Sequence, residues 1–348
     1  MSAELPTSST MSAELPTSAN MKDEIRIPAI KQFNTSDIFP VSFSFPITGY
    51  DLAWNSFDLK TPKLKLGFHW NPDLIKAMIL FWFSGETSLK LIGHTGTGKT
   101  EAVMQFHAAI NLPLVMVTAN PQMSARDLIG GFFPTQEGLA WRDGPVTKAA
   151  RQGLSIIIDE YNVLDAGETT GLNAFLEGRA FTIVETGETV QPLPGFRVFV
   201  TINPKSSGYH GRQTQDLAND DRFVDVHTQY PPKEIEEKAL TSYLLGAKSS
   251  PVEAANISSV IATVAQAFRK SYMGENDEAN ALPCTMSMRC SMRMAKWTVL
   301  FQRAYAGTQP PESPLYMALD MVLANRQTPE VRTALRETLK LTSGYNAN

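Results

Sequence analysis

Residues 91–101 read LIGHTGTGKTE, and the fold turns on whether this stretch is a phosphate-holding loop or a plain strand-to-helix turn. Gly93, Gly98, Lys99 and Thr100 fill the pattern G-x-x-x-x-G-K-[ST] without exception. At a background of about 7% glycine, a chain of this length meets the pattern by chance roughly once in a hundred. The surroundings narrow the choice. Residues 89–92 form an apolar run of strand character immediately before the loop, and residues 101–110 have helical spacing immediately after it. Glycines let successive backbone amides turn inward around phosphate oxygens, and the following helix offers its partly positive N-terminus to the same anion. In such a loop Lys99 neutralises the β- and γ-phosphates of ATP and Thr100 gives its hydroxyl to Mg²⁺. His94, Thr95, Gly96 and Thr97 fill the interior of the loop and Glu101 follows it, completing the expected cofactor-binding stretch. The position of His94 accepts many side chains, so no catalytic role is expected of it.

Hydrolysis needs a second, acidic site. Residues 154–160, LSIIIDE, supply it: an apolar strand delivers Asp159, expected to hold Mg²⁺ through water, and Glu160, expected to orient and polarise the attacking water. A third apolar run, residues 198–202, ends in Asn203-Pro204. Asn203 can bond the attacking water or the γ-phosphate, or it can simply start a turn, as Asn-Pro often does. Asp220-Asp221-Arg222-Phe223 precedes the alternation of Val224 and Val226. Arg222 is either a solvated charge or a group reaching a neighbouring subunit's γ-phosphate, a role worth on the order of 10³–10⁵ in rate.

Around these motifs the chain divides. Its 348 residues are enough for two domains, and 43% hydrophobic content is enough for a real core. A net charge of −4 argues against a dedicated nucleic-acid binder. No apolar run has the length to cross a bilayer, no signal-peptide core is seen, and two cysteines make no disulfide framework, so a cytoplasmic location is expected. The longest apolar run, residues 77–83, reads as a buried helix. Residues 1–22 contain MSAELPTS twice and read as a disordered tail. Residues 23–70, rich in proline and aromatics, read as an accessory segment. Over 71–231, near-continuous apolar runs at 89–92, 114–117, 155–158 and 197–202 alternate with helical stretches, which predicts an α/β core with a parallel sheet flanked by helices. Past Pro231-Pro232, helical spacing at 233–245, 257–272, 292–306 and 315–324 predicts a smaller all-helical domain over 232–348. Met286, Met288, Met292 and Met294 with Cys284 and Cys290 read as core filling rather than a metal site.

Taken in order, these features resemble the AAA+ ATPases. Two stretches resemble the insertions of the MoxR branch: a hairpin interrupting the second core helix at 127–145, and a second hairpin at 180–193 ahead of Asn203. Within that branch the chain is similar to the ATPase subunits of aerobic cobaltochelatase (CobS). That likeness rests on residues 93–100, on Phe175-Leu176-Glu177-Gly178-Arg179, on Gly208-Tyr209-His210-Gly211 with Asp221-Arg222, and on Ile25-Arg26-Ile27-Pro28-Ala29, and it covers roughly residues 23–300. The resemblance implies Lys99 and Thr100 as Walker A, Asp159 and Glu160 as Walker B, Asn203 as sensor 1 and Arg222 as a finger acting in trans. It implies Arg289 as sensor 2, in a Ser287-Met288-Arg289 segment that carries Met288 where the family has proline; Arg293, one turn on, is a second candidate. It also implies a P-loop core followed by a helical lid, Mg²⁺-ATP, a homo-oligomeric and expectedly hexameric ring, and two partners: a von Willebrand-A-type subunit and a large chelatase subunit that inserts cobalt into a corrin. Tyr209-His210 is either core-lining or pore-facing. The alternatives are a MoxR-type chaperone acting on another client enzyme, a nucleic-acid motor, which the acidic balance opposes, and a ring scaffold that binds ATP without splitting it, which Glu160 opposes.

Overall fold

The computed structural model describes residues 27–56, 59–65, 67–204, 221–274 and 282–344. The tail expected over 1–22, Ile25 and Arg26, the Gly208-Tyr209-His210-Gly211 segment and Asp220 lie outside the described residues.

Two strands, β1 (Ile30–Asn34) and β2 (Pro46–Tyr50), form an antiparallel hairpin around the short α1 (Thr35–Ile38). Helix α2 (Pro72–Ser84) follows, capped by Asn71 and closed by Gly85. It is buried on one side only. Leu74, Ile75, Met78, Ile79 and Phe81 are inside, while Leu80 and Phe83, part of the run expected to be buried, face solvent. Next come β3 (Ser88–Ile92), α3 (Lys99–Ala109) and β4 (Leu114–Thr118), then α4 (Ala125–Ile129), β5 (Gly130–Thr135), β6 (Gly138–Asp143) and α5 (Pro145–Gln152). The β5–β6 hairpin sits between two short helices, as the resemblance implied. β7 (Ser155–Asp159) leads through α6 (Ala166–Thr170) and α7 (Asn173–Leu176) to a second hairpin of β8 (Phe181–Thr182) and β9 (Thr189–Val190), and then to β10 (Arg197–Ile202) and β11 (Val224–His227).

Five strands make one parallel sheet in the order β11-β3-β10-β7-β4. Its central strands β7 and β10 are largely apolar on both sides because both faces are covered there. Leu89, Leu91, Ile157 and Phe199 face a layer built from α2, α3 and the first hairpin, including Phe39 and Ile47. Ile156, Ile158, Val198 and Val200 face the opposite layer, with α4, α5 and α7. Each fully buried side chain of this kind stabilises the fold by about 1.5–3 kcal/mol.

The C-terminal region is helical: α8 (Lys233–Gly246), α9 (Pro251–Tyr272), α10 (Met288–Ala304), α11 (Pro314–Val322) and α12 (Pro329–Ser343). It has its own core, in which Met286 and Met294 are buried and Met288 and Met292 pack at the margin. Helix α12 lies beyond the four expected helices; Leu335 and Leu339 are its buried residues. Ser250 and Glu253 form a capping box that starts α9. Ser287 accepts the Cys290 amide, so α10 begins at Met288 although no proline stands there.

Candidate nucleotide site

The register of the sheet decides what meets. Ile92 pairs with Ile202, and Asp159 with Thr118, so β3, β7 and β10 end together at the carboxyl edge. The segments leaving those ends therefore gather in one place, as ligand-binding loops of open parallel sheets do.

Thr97 closes the loop after β3: its amide and hydroxyl both donate to the His94 carbonyl, at 3.3 and 2.9 Å. Gly96 and Gly98 are left-handed, with φ 79° and 90°. Gly98 is the N-cap of α3, so the first-turn amides of that helix open onto the loop. Lys99, 7% exposed, donates from its ammonium to the carbonyls of Gly93 (2.6 Å) and His94 (3.0 Å) and to Asn203 Oδ1 (3.0 Å). The Thr100 hydroxyl donates to Asp159 Oδ1 at 2.7 Å. Glu160 follows in left-handed backbone, φ 58° and ψ 36°. Asn162 donates to the Asn203 carbonyl at 3.0 Å. Lys99, Thr100, Asp159, Glu160 and Asn203 are thus brought to one edge of the sheet from three elements, α3, β7 and β10.

Around the loop stand aromatic rings. His94 lies parallel to Tyr230 at 6.3 Å and edge-on to Tyr272 at 5.7 Å. Burial, and then the nearby charge of Lys99, hold the His94 imidazole below its usual pKa, which keeps it neutral beside the ammonium. Tyr230 donates to the Thr95 carbonyl at 3.1 Å, and the Arg269 guanidinium stacks on its ring at 4.3 Å. Arg269 is buried and paired fork-to-fork with Glu236, at 2.5 and 2.9 Å. Glu101 turns its carboxylate away from the loop, to Lys65 (2.5 Å) and Gln105 (2.9 Å). At the loop's apex, the Met288 amide donates to the Gly96 carbonyl at 3.3 Å. Arg289, the next residue, is exposed in the first turn of α10, and Arg293 is exposed one turn further on.

Arg222 is not part of this gathering. Val224, two residues later, pairs with Leu89 at the start of β3, which places Arg222 at the amino edge of the sheet. There it lines a cleft of about 510 Å³ with Glu86, Thr87, Glu177 and Arg179. Glu177 accepts from Arg222 Nε at 2.7 Å and pairs with Arg179 Nε at 2.8 Å.

The residues present fit a magnesium nucleotide. Thr100 and Asp159 offer adjacent hard oxygens, and Mg²⁺ commonly takes one or two protein ligands while keeping waters and substrate phosphates. Among the described residues no cluster of three or more His, Cys, Asp or Glu side chains is placed to hold a metal by itself.

Residues 88–223 match the family model of the AAA domain, dynein-related subfamily. The match opens at β3 and closes just past Arg222, so the matched stretch spans both ends of the sheet. The chain is 34% identical over 182 residues to the denitrification regulatory protein NirQ of Stutzerimonas stutzeri, covering 51% of this chain and 62% of that protein. It is 31% identical over 159 residues to the protein CbbQ of Hydrogenophilus thermoluteolus, 45% of this chain and 58% of that one. A NirQ of Pseudomonas aeruginosa is 32% identical over 152 residues, 43% and 57% of the two chains. The chain thus spans about three-fifths of the length of these curated relatives. None of the three is a cobaltochelatase subunit by name, so they lend no support to that finer resemblance. No helix among the described residues is long and apolar enough to cross a membrane.

Sequence reading missed Thr201. Its hydroxyl donates to Asp159 Oδ1 and accepts the Glu160 amide, at 3.0 Å for the latter. It missed Tyr230 as well, and it quoted Glu177 only as part of the Phe175–Arg179 likeness, without its pairing to Arg222. Only tertiary structure brings these side chains to their partners; no local motif marks them.

Proposed function

We propose that this chain is a Mg²⁺-ATP-hydrolysing subunit of a ring-forming, MoxR-type motor that remodels a client protein together with a von Willebrand-A-type partner. The observation that carries this reading is that Lys99 bonds Asn203 and Thr100 bonds Asp159 at one edge of the sheet, while Arg222 lines a cleft at the opposite edge. In this reading Lys99 and the first-turn amides of α3 grip the β- and γ-phosphates. Thr100 and Asp159 hold the Mg²⁺, which neutralises charge on those phosphates when bound. Asn203 and Glu160 orient water, and Arg222 serves the next subunit. Residues 71–231 form the nucleotide-binding core and 232–348 the lid, divided at Pro231-Pro232, with 23–70 as an accessory segment. Arg289 sits close enough to the loop apex to report nucleotide state to the lid.

The likeness to a denitrification regulatory protein favours a role on another client enzyme over cobalt insertion into a corrin. The chelatase client is therefore set behind the general one. Glu160→Gln is expected to keep ATP affinity while turnover falls by about 10²–10⁴. Phosphate release and equilibrium binding of a fluorescent ATP analogue measure the two quantities. Undiminished turnover would remove Glu160 from its role and the reading with it.

A further inference from the structure

Thr201 is the one hydroxyl in β10, a strand otherwise made of Arg197, Val198, Phe199, Val200 and Ile202, and it is 2% exposed. Val200 pairs with Ile158, so Thr201 falls beside Asp159 at the end of β7. A hydroxyl has one proton to give and lone pairs to receive with. Thr201 spends its proton on Asp159 Oδ1 and takes the Glu160 amide on a lone pair at 3.0 Å. The same Asp159 Oδ1 also accepts the Thr100 hydroxyl at 2.7 Å. Two hydroxyls on one oxygen fix the rotation of that carboxylate, and neither bonds its other oxygen.

The second bond bears on backbone. Glu160 has φ 58° and ψ 36°, a left-handed conformation that an L-residue other than glycine adopts at a cost and keeps only where its surroundings enforce it. Turning the Asp159–Glu160 peptide over would carry the amide away from Thr201 and re-aim the Glu160 side chain. One hydroxyl therefore sets the direction of two consecutive carboxylates, one through its side chain and the other through its main chain. We infer that Thr201 is a positioning residue for hydrolysis, acting through Asp159 and Glu160 rather than on the nucleotide. This inference rests on the ATPase reading above.

The decisive variant is Thr201→Val in the full chain, because valine keeps the volume and the strand preference and removes both bonds. Turnover is expected to fall roughly 10–100-fold, as it does when a group orienting a metal ligand is lost. Binding of a fluorescent ATP analogue without Mg²⁺ should stay at the parent's level, and the gain in binding on adding Mg²⁺ should shrink. Thr201→Ser, which restores the hydroxyl, should bring both readouts back. A valine variant with the parent's kcat and the parent's Mg²⁺ response, or one that changes only in melting temperature, overturns the inference. If the valine protein does not fold, Thr201→Ala and Thr201→Ser are compared instead. Serine above alanine in kcat and in Mg²⁺ response supports the role, and equality overturns it. Glu160→Gln assayed alongside separates the two levels. If it turns over normally, the ATPase reading fails; if it is inactive while Thr201→Val matches the parent, only the role of Thr201 fails.

Discussion

The two ends of the parallel sheet are built in opposite ways. At the carboxyl edge Thr97, Lys99, Thr201 and Asn203 are all buried, and each polar group meets another from the same chain. At the amino edge Arg222 and Arg179, with side chains 24% and 76% exposed, lean on the single carboxylate of Glu177 at the wall of an open cleft. Between them lies β3, five residues and about 13–16 Å of extended chain. An arginine so placed cannot reach the phosphate loop of its own subunit. The first edge is a preorganised, water-poor site of the kind that stabilises developing charge. The second is a pair of arginines held by Glu177 at the wall of a cleft. The difference teaches that the polar groups gathered at the two edges lie at opposite ends of the strands, the arrangement on which the proposed head-to-tail ring depends.

The sharpest way to break that comparison is Arg222→Ala. Turnover should drop by about 10³–10⁵, with ATP affinity unchanged because the carboxyl edge is untouched. Mixed with Lys99→Ala subunits, which cannot bind phosphate but still carry Arg222, part of the activity should return at hybrid junctions. Phosphate release measured across mixing ratios reads this directly. A mixture as inactive as its parts would mean that Arg222 serves no neighbour.

A smaller effect tests how firmly the carboxyl edge is tied to the helical region. A side chain at Gly96 would place its Cβ 2.3 Å from Ser287 Cβ, at the start of α10. One at Gly98 would meet nothing within 4 Å. Both positions are left-handed. Gly98→Ala should therefore cost only the backbone term of about 1–2 kcal/mol. Gly96→Ala should cost about 1–3 kcal/mol more, because backbone-anchored atoms must move apart. Denaturant unfolding of the two variants side by side gives the difference, and equal losses would show that the contact with α10 does not hold the loop.

The same contrast explains what could be read in advance. The phosphate loop and the sheet strands were legible because their constraints are local: a glycine spacing, and apolar runs that only a doubly covered strand tolerates. The two hairpins were expected from the resemblance to the MoxR branch, and both are present. Helix α12 was not, because its buried stripe reduces to Leu335 and Leu339 in an otherwise polar segment. Thr201 was hidden because nothing in VFVTI distinguishes a catalytic-site hydroxyl from a β-branched filler until the register sets it beside Asp159. The Arg222–Glu177 pair spans 45 residues and carries no local signal. Met288 was misleading in a useful way. Proline starts helices well, but it has no amide, and here the Met288 amide donates to the Gly96 carbonyl. The departure from the family pattern adds a bond between loop and helix. A client is the least legible part of the proposed function, since residues suited to cradle phosphate say nothing about what such a motor would grip.

The gentlest test uses the far end of the helix that carries Lys99. His107 is wholly buried near the C-terminus of α3, its Nδ1–H donating to the Val103 carbonyl at 2.8 Å and its ring edge-on to Trp82 and Phe199. Burial lowers its pKa to about 4, against a smaller opposing effect of the Val103 bond. The unfolded chain, with an ordinary imidazole near 6.5, binds the proton first, so stability should fall as pH drops from about 6.5 toward 4, by up to about 3 kcal/mol. His107→Leu removes the titration and should flatten that part of the curve, whatever the substitution costs at neutral pH. Urea unfolding of both proteins at half-unit steps between pH 7 and 4 gives the two slopes. Parallel slopes would mean that the ring is not held neutral inside the core. Divergent ones would show that protonation of the buried His107 ring is what drives this part of the acid loss.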